Sequence, residues 1–193
     1  MKQVVLQLPG WQGSSLDHWQ THWQVLYGDE RVEQLDWDRP LRGDWQIALQ
    51  NHMWDVKTRH ESIGDTESVY FWLIGHGLGC HLIRAWATYS PYVNWVLGAF
   101  LVAPLVLSHQ PRHACLKTWY PIDQSPLPFP SMMLTSLNDS LAPSDASSDL
   151  AKAWGSQHVE LTDLGHINAN SGLGDWPQGR AVFEQFKRLK FKE

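Results

Sequence analysis

One stretch in the first half of the chain, residues 69–80, limits the folds open to this sequence more than any other. Residues 69–74 form a run that is apolar at every position, and a glycine-rich segment, residues 75–79, follows directly. An unbroken apolar run of this length is typical of a central parallel strand covered on both faces. The glycines predict a tight turn after the strand, and residues 81–89 are predicted to be helical.

Strand and helix patterns alternate through the rest of the chain. Further strands are predicted at residues 4–8, 31–35, 96–102, 131–135 and 158–161, and helices at residues 17–27, 44–60, 144–154 and 177–189. This alternation predicts an α/β fold: a three-layer α/β/α sandwich with a mostly parallel sheet. No repeat or linker interrupts it, so we expect a single domain over residues 1–193. An irregular, proline-rich segment, residues 105–130, is expected to be a loop that carries function or covers a cleft.

The composition narrows the class of partner that the chain could have. Its 15 basic and 20 acidic residues give a formal net charge of −5 without a basic stripe, which argues against nucleic acid. No apolar run approaches the roughly 20 residues of a membrane span, and the N-terminus has no signal-peptide pattern. We therefore expect no membrane association and a cytoplasmic location. Both cysteines are expected to be reduced, and a small-molecule substrate or ligand is the expected partner.

The loops after the predicted strands carry the most distinctive chemistry, and open α/β sheets bind ligands beyond the carboxyl ends of their strands. The Gly-x-Gly-x-Gly pattern of residues 75–79 matches the G-x-S-x-G nucleophile elbow of α/β-hydrolases, except that Gly77 occupies the position of the nucleophilic serine. Asp139 and His166 come later, each after a predicted strand. Nucleophile, aspartate and histidine follow one another in this order in the α/β-hydrolase triad.

A role can be assigned to each of these positions. Asp139 would hold the ring of His166, and His166 would take the proton of a nucleophile at position 77. The backbone N–H of Leu78 and that of Trp11, in the loop after the first strand, would form the oxyanion hole. Trp11 and Trp176 lie on loops beside the site and are predicted to line a substrate cleft. The plainer alternative for Asp139 is that it only forms a turn.

Short motifs along nearly the whole chain resemble those of the small serine hydrolases related to retinoblastoma-binding protein 9, in particular their bacterial branch. The longest motif is Gly-His-Ile-Asn-Ala-x-Ser-Gly-x-Gly-x-Trp-Pro at residues 165–177. The others are Pro-Gly-Trp at 9–11, His-Trp-Gln at 18–20, the elbow block at 75–80, Leu-Pro-Phe-Pro-Ser at 127–131, Asn-Asp at 138–139 and Ala-Trp-Gly at 153–155. The resemblance implies a compact α/β-hydrolase fold with a Ser-His-Asp triad, here at Gly77, Asp139 and His166.

The same resemblance implies an esterase-like enzyme that acts on a small ester or amide by acyl transfer. We expect no metal and no cofactor. The animal member of the family is named for binding the retinoblastoma protein and has an L-x-C-x-E type motif. Neither Cys80 nor Cys115 is part of such a motif, so this partner is not expected here.

Glycine at position 77 leaves the activity open. A natural loss of the serine would make the chain a pseudoenzyme that binds a small molecule or peptide in a vestigial cleft, and a deliberate substitution would make it an inactivated enzyme. Two other groups could act instead: the Cys80 thiol as nucleophile, or a water activated by His166. His18 and His22 lie four residues apart on a predicted helix, as metal ligands sometimes do, but no third ligand accompanies them.

Overall fold

The computed structural model of the protein describes residues 1–62, 67–106 and 113–190. Within these ranges the strands are β1 Lys2–Leu8, β2 Glu30–Arg31, β3 Val69–His76, β4 Val96–Val102, β5 Ser131–Ser136 and β6 Gln157–Leu161. The α-helices are α1 Trp19–Tyr27, α2 Arg42–Ser62, α3 Leu78–Tyr89, α4 Ser144–Trp154 and α5 Pro177–Lys190. No helix in the described ranges has both the length and the hydropathy that a bilayer crossing requires.

The described strands form one parallel sheet in the order β2-β1-β3-β4-β5-β6. Because all of them point the same way, their carboxyl ends lie along one edge, and the loops that follow β1, β3, β5 and β6 meet there. The register shows this directly, since Leu8, the last residue of β1, lies opposite Gly75 near the end of β3. The predicted parallel α/β fold is confirmed.

Helices cover both faces of the sheet and create two hydrophobic cores. Alternate residues of β3 enter different cores: Phe71 packs with the residues of α2, α3 and α4, and Trp72 packs with those of α1 and α5. Burying a large apolar side chain of this kind contributes about 1.5–3 kcal/mol. In α1, Trp19 and Trp23 are buried in this second core, whereas Leu26 is 51% exposed.

Two element boundaries differ from the expectation for physical reasons. The predicted strand at residues 31–35 is reduced to Glu30–Arg31 at the edge of the sheet. After it, Val32 is still buried, whereas Leu35 is exposed. At the centre, β3 continues through His76 and α3 begins at Leu78. The turn between them is therefore a single residue, Gly77, much shorter than predicted.

The proline-rich segment is more ordered than an open loop where the structure describes it. Residues 107–112 lie outside the described residues. Beyond them, a 3-10 helix runs over Ala114–Trp119, and the side chains of Leu116, Trp119 and Phe129 are buried in the core beside α2, α3 and α4. Leu105, at the start of the segment, lines the cavity described next. The segment therefore helps to form a wall of the site.

Candidate active site

The three positions predicted from the triad order lie next to one another at the carboxyl edge of the sheet. His166 Nδ1 is 2.8 Å from Asp139 Oδ2. A β-carbon built on Gly77 would lie 3.4 Å from His166 Nε2, an ordinary van der Waals distance. A carboxylate only accepts hydrogen bonds, so Asp139 accepts the Nδ1–H of His166 and leaves the Nε2 lone pair facing position 77. This is the arrangement of a histidine base held by an aspartate.

Asp139 is fixed by its surroundings. Its side chain is fully buried, and its second oxygen, Oδ1, accepts the backbone N–H of Leu141 at 2.8 Å. Its own backbone N–H donates to the Ser136 carbonyl at the end of β5. Both carboxylate oxygens therefore have donors, which restrains the carboxylate that orients His166.

A second pair of side chains joins the aspartate loop to the histidine loop. Asn138 Oδ1 accepts the backbone N–H of Gly165 at 2.7 Å and the hydroxyl of Ser136 at 2.9 Å. The Ser136 hydroxyl oxygen in turn accepts the backbone N–H of Leu164 at 2.9 Å. These bonds fix the backbone directly before His166. In the sequence, Asn138 belongs to the Asn-Asp motif at 138–139, but no local pattern indicates this role.

The flanking glycines of the elbow are required by space. A β-carbon at Gly79 would lie 2.0 Å from the carbonyl oxygen of Leu8, and one at Gly75 would lie 2.8 Å from the backbone nitrogen of Cys80. Real β-carbons essentially never approach other atoms this closely. Glycine at both positions therefore allows α3 to pack directly against the ends of β1 and β3, which explains the one-residue turn.

Position 77 has different constraints. Its backbone has φ +54° and ψ −116°, a conformation that residues with side chains rarely adopt, and its N–H donates to the Val102 carbonyl at 3.0 Å. Space for a side chain nevertheless exists, since the built β-carbon meets nothing closer than His166 Nε2. The elbow thus has a backbone conformation that would be strained for a serine, as is typical of a nucleophile position, and room for a hydroxyl beside the base.

Both predicted oxyanion residues line the same cavity as Gly77 and His166, a space of about 320 Å³. Leu78 is the first residue of α3, so its N–H has no partner within the helix. Trp11 follows Gly10, whose built β-carbon would lie only 3.4 Å from Leu78 N, so the first loop presses against the elbow. Neither N–H has an acceptor among the residues that the structure describes, and both are therefore free to bind a developing negative charge.

The two tryptophans predicted for the substrate cleft have different positions. Trp11 lines the cavity and is held there by a hydrogen bond from its indole N–H to the Asp38 carbonyl. The prediction for Trp176 is corrected by the structure: this residue is only 3% exposed and packs against Trp19 and Trp23, with ring centroids 5.1 and 5.9 Å apart. Its indole ring therefore belongs to the core formed with α1 and α5.

Cys80 does not fit the role of a substitute nucleophile. Its side chain is completely buried, and its thiol donates to the Val102 carbonyl at 3.5 Å. Burial also raises the pKa of the thiol, so the reactive thiolate is disfavoured. Cys80 therefore packs α3 against the sheet as a small apolar residue.

Two further histidines pack in series behind His166. The ring of His76 is 5.0 Å from that of His166 and 4.8 Å from that of His18. His76 Nε2 donates to the His166 carbonyl at 2.9 Å, and His18 Nδ1 accepts the backbone N–H of Gln20 and caps α1. His22 pairs instead with Asp175, 2.8 Å away, so His18 and His22 serve separate contacts.

Burial lowers the pKa of three imidazoles, those of His18, His76 and His81. The pKa of His18 falls to about 4, with a further contribution from the nearby His166, and that of His76 falls well below its usual value. His81, whose Nε2 donates to the Leu105 carbonyl, also has its pKa lowered to about 4 by burial. The folded state therefore favours the neutral form of each ring.

We expect the folded protein to lose stability as the pH falls from about 6.5 towards 4. The unfolded chain binds protons at these imidazoles near pH 6.5, whereas folded His18 and His81 bind them only near pH 4, so unfolding takes up protons in this window. The contribution is fully present above pH 6.5, and each ring changes the free energy of unfolding by up to about 1.4 kcal/mol per pH unit.

Urea denaturation at a series of pH values measures this slope. A His81→Gln variant retains a side-chain donor and should lower the slope by about one proton. An equal slope in the variant would contradict the assignment of that proton to His81.

The fold and the site together define the class of the protein. A parallel sheet, a one-residue turn into a helix, and an aspartate–histidine pair on later strand ends are the features of the α/β-hydrolases. The sequence model of the serine hydrolase family matches residues 5–185. The chain belongs to the serine hydrolase family.

Solved structures show the same fold. A protein described as a YdeN-like hydrolase from Pectobacterium atrosepticum has a TM-score of 0.77 and 26% identity, over 98% of this chain and 92% of that chain. The ydeN gene product from B. subtilis has a TM-score of 0.69 and 18% identity, over 96% of this chain and 98% of that chain. MGS-MChE2 is an α/β-hydrolase enzyme from the sediment metagenome of the Mar Chica lagoon in Morocco. It has a TM-score of 0.70 and 14% identity, over 99% of this chain and 93% of that chain. Comparison with curated protein sequences finds no match.

Proposed function

We propose that this chain carries the acyl-transfer machinery of an esterase-like serine hydrolase for a small ester or amide, with only the nucleophile missing. The observation that carries the proposal is the open space at Gly77, where a built β-carbon lies 3.4 Å from His166 Nε2 and Asp139 holds the opposite side of the ring. Since Gly77 offers no hydroxyl, the proposal includes that hydrolysis by this chain is lost or strongly impaired.

The geometry supports a defined sequence of events once a serine occupies position 77. Its Oγ would attack the substrate carbonyl carbon while His166 Nε2 accepts the Oγ proton, and the N–H groups of Leu78 and Trp11 would stabilise the oxyanion. His166 would then give that proton to the leaving alcohol or amine, and the acyl group would remain on the serine Oγ. Water would next attack the acyl carbonyl carbon while His166 accepts its proton. His166 would return the proton to the serine Oγ as the acid is released. In the present chain His166 has only a water to activate, which is worth on the order of a hundredfold.

The cavity walls support an uncharged, short-chain substrate. Trp11, Leu105 and Leu141 form an apolar part, and Gln12 and Asn170 add neutral polar groups. Among its described lining residues none is Lys, Arg, Asp or Glu, so a charged substrate would lose hydration without gaining a counter-ion. The volume of about 320 Å³ also limits the size of the acyl and leaving groups.

We further propose that, within the serine hydrolase family, the chain belongs with the small hydrolases related to retinoblastoma-binding protein 9. The support is the motif at residues 165–177, which contains His166 and shapes the loop before α5. The proposal extends to a cytoplasmic enzyme with a small-molecule substrate, without a cofactor, a nucleic-acid partner or a membrane partner.

A second candidate function is ligand binding without catalysis. The observation that favours it is Gly77 itself, since the cavity is intact while the nucleophile is absent. This pseudoenzyme would bind a neutral ester at equilibrium without turnover, which calorimetry on the unaltered chain can measure. A serine codon at position 77 of the natural gene would instead favour the enzyme.

An active-site fluorophosphonate distinguishes the two. We expect it to label a Gly77→Ser variant and not the unaltered chain, because only the variant offers a hydroxyl activated by His166. Pretreatment of the variant with a short acyl ester should slow the labelling. A folded variant that stays unlabelled would refute the proposal that only the nucleophile is missing.

Asp139→Asn in a Gly77→Ser background is expected to lower kcat for a p-nitrophenyl ester by about 10³- to 10⁴-fold. The amide can donate to His166 Nδ1 and so stabilise the tautomer that is unable to accept the serine proton. Asp163→Asn is the matched control, since this exposed residue lies in the loop after β6 that carries His166, and its φ of +53° suits asparagine. Equal activity of the Asp139 and Asp163 variants would contradict the role of Asp139.

A further inference from the structure

A second cavity of about 290 Å³ lies along α3, away from the elbow. One face of α3 forms a wall with residues spaced three and four apart, His81, Arg84 and Thr88. The start of α2 contributes Arg42, and the segment after the 3-10 helix contributes Asp123. The cavity shares none of its described lining residues with the candidate active site.

Positive charge exceeds negative charge in this cavity. Arg84 is only 6% exposed and donates from Nη2 to Asp123 Oδ2 at 2.6 Å, while its Nε has no acceptor among the described residues. Arg42 has no carboxylate partner in the described part of the chain. The described lining of the cavity thus contains two arginines and one carboxylate. An uncompensated charge in a partly enclosed site is costly unless a counter-ion or water satisfies it.

The surroundings of Asp123 favour the anionic form of its carboxyl group. Burial raises the pKa of its carboxyl, but hydrogen bonds from Ser125 and Thr88 and the charge of Arg84 outweigh burial and lower it. Asp123 Oδ1 accepts the backbone N–H of Ser125 at 2.8 Å, and Oδ2 accepts the Thr88 hydroxyl at 2.9 Å. Asp123 therefore has little remaining capacity to neutralise Arg42 as well.

Another part of the cavity wall is apolar and includes the flat indole ring of Trp119. The ring of Trp119 is almost fully buried and is fixed by its indole N–H, which donates to the Pro40 carbonyl at 2.7 Å. Pro121 and Ile122 extend this wall. A ligand here would place an apolar body on these side chains and an anionic group beside Arg42 and Arg84.

We propose that this cavity is a binding site for a small organic monocarboxylate with a flat apolar body. The single negative charge matches the net charge of one positive unit from Arg42, Arg84 and Asp123. Arginine binds carboxylates through paired N–H donors, which gives the site directionality as well as charge. The inference concerns the cavity along α3 alone and does not depend on activity at position 77.

Calorimetric titration of the unaltered chain with sodium benzoate tests the proposal. We expect benzoate to bind, and benzamide, which has the same shape without the charge, to bind at least about ten times more weakly. Arg42→Gln should raise the Kd for benzoate at least about tenfold, and Arg42→Lys should raise it less. Arg39→Gln is the matched control, because Arg39 is exposed and lies outside the cavity lining.

Three results would overturn the proposal: no heat from benzoate at millimolar concentration, equal binding of benzoate and benzamide, or an Arg42→Gln variant that is folded and binds as tightly as the Arg39→Gln control. Inorganic phosphate is the comparison anion. If phosphate binds through Arg42 and benzoate does not, the site is specific for a different anion and the carboxylate assignment is wrong.

Discussion

A Gly77→Ser variant is expected to hydrolyse a short p-nitrophenyl ester faster than the unaltered chain by on the order of 10³-fold or more. The reason is geometric. The new hydroxyl would lie one bond beyond a β-carbon that is 3.4 Å from His166 Nε2, within reach of the base and next to the free N–H of Leu78. In the proposed mechanism the chain lacks only the nucleophile, so one side chain should restore most of the rate of acyl transfer.

Gly77→Ala is the matched control for this experiment. It adds the same β-carbon at φ +54° and should cost about the same stability, roughly 1–3 kcal/mol, without providing a nucleophile. A Gly77→Ser/His166→Ala double variant should return to the rate of the unaltered chain. If the serine variant is folded and no faster than the alanine variant, the machinery at Asp139 and His166 is not competent.

Gly79→Ala is expected to destabilise the protein by at least about 4 kcal/mol and to leave most of it insoluble. Its β-carbon would lie 2.0 Å from the Leu8 carbonyl oxygen and 2.9 Å from the Pro9 carbonyl oxygen, both of which are backbone atoms. Neither can move without separating α3 from β1. The soluble fraction after expression and the urea midpoint measure the effect.

Gly43→Ala provides the comparison. Gly43 lies in α2 with nothing within 4 Å of the built β-carbon, so alanine should be neutral or stabilise by up to about 1 kcal/mol. If Gly79→Ala has the same urea midpoint as Gly43→Ala, the close approach of α3 to β1 is not required, and our explanation of the one-residue turn is wrong.

Local patterns in the chain were sufficient to predict the sheet and the elbow. The apolar run at residues 69–74 predicts a buried strand, and the spacing of Gly75 and Gly79 predicts a turn in which backbones meet closely. The proximity of Asp139 and His166 was predicted from a second rule: residues that follow the carboxyl ends of parallel strands lie along one edge of the sheet. The boundary of α3 was less predictable, because its start depends on how closely β1 approaches.

The sequence by itself therefore determined the parallel α/β fold, which follows from periodicity along the chain. It also indicated the three positions at 77, 139 and 166, which follow from the glycine spacing, the chain order and the resemblance to a known family. Only the tertiary structure decided that Trp176 lies in the core, that Cys80 is buried, and that Arg42 and Arg84 share one cavity. The physical reason is that burial, hydrogen-bond partners and local charge depend on contacts between residues far apart in sequence.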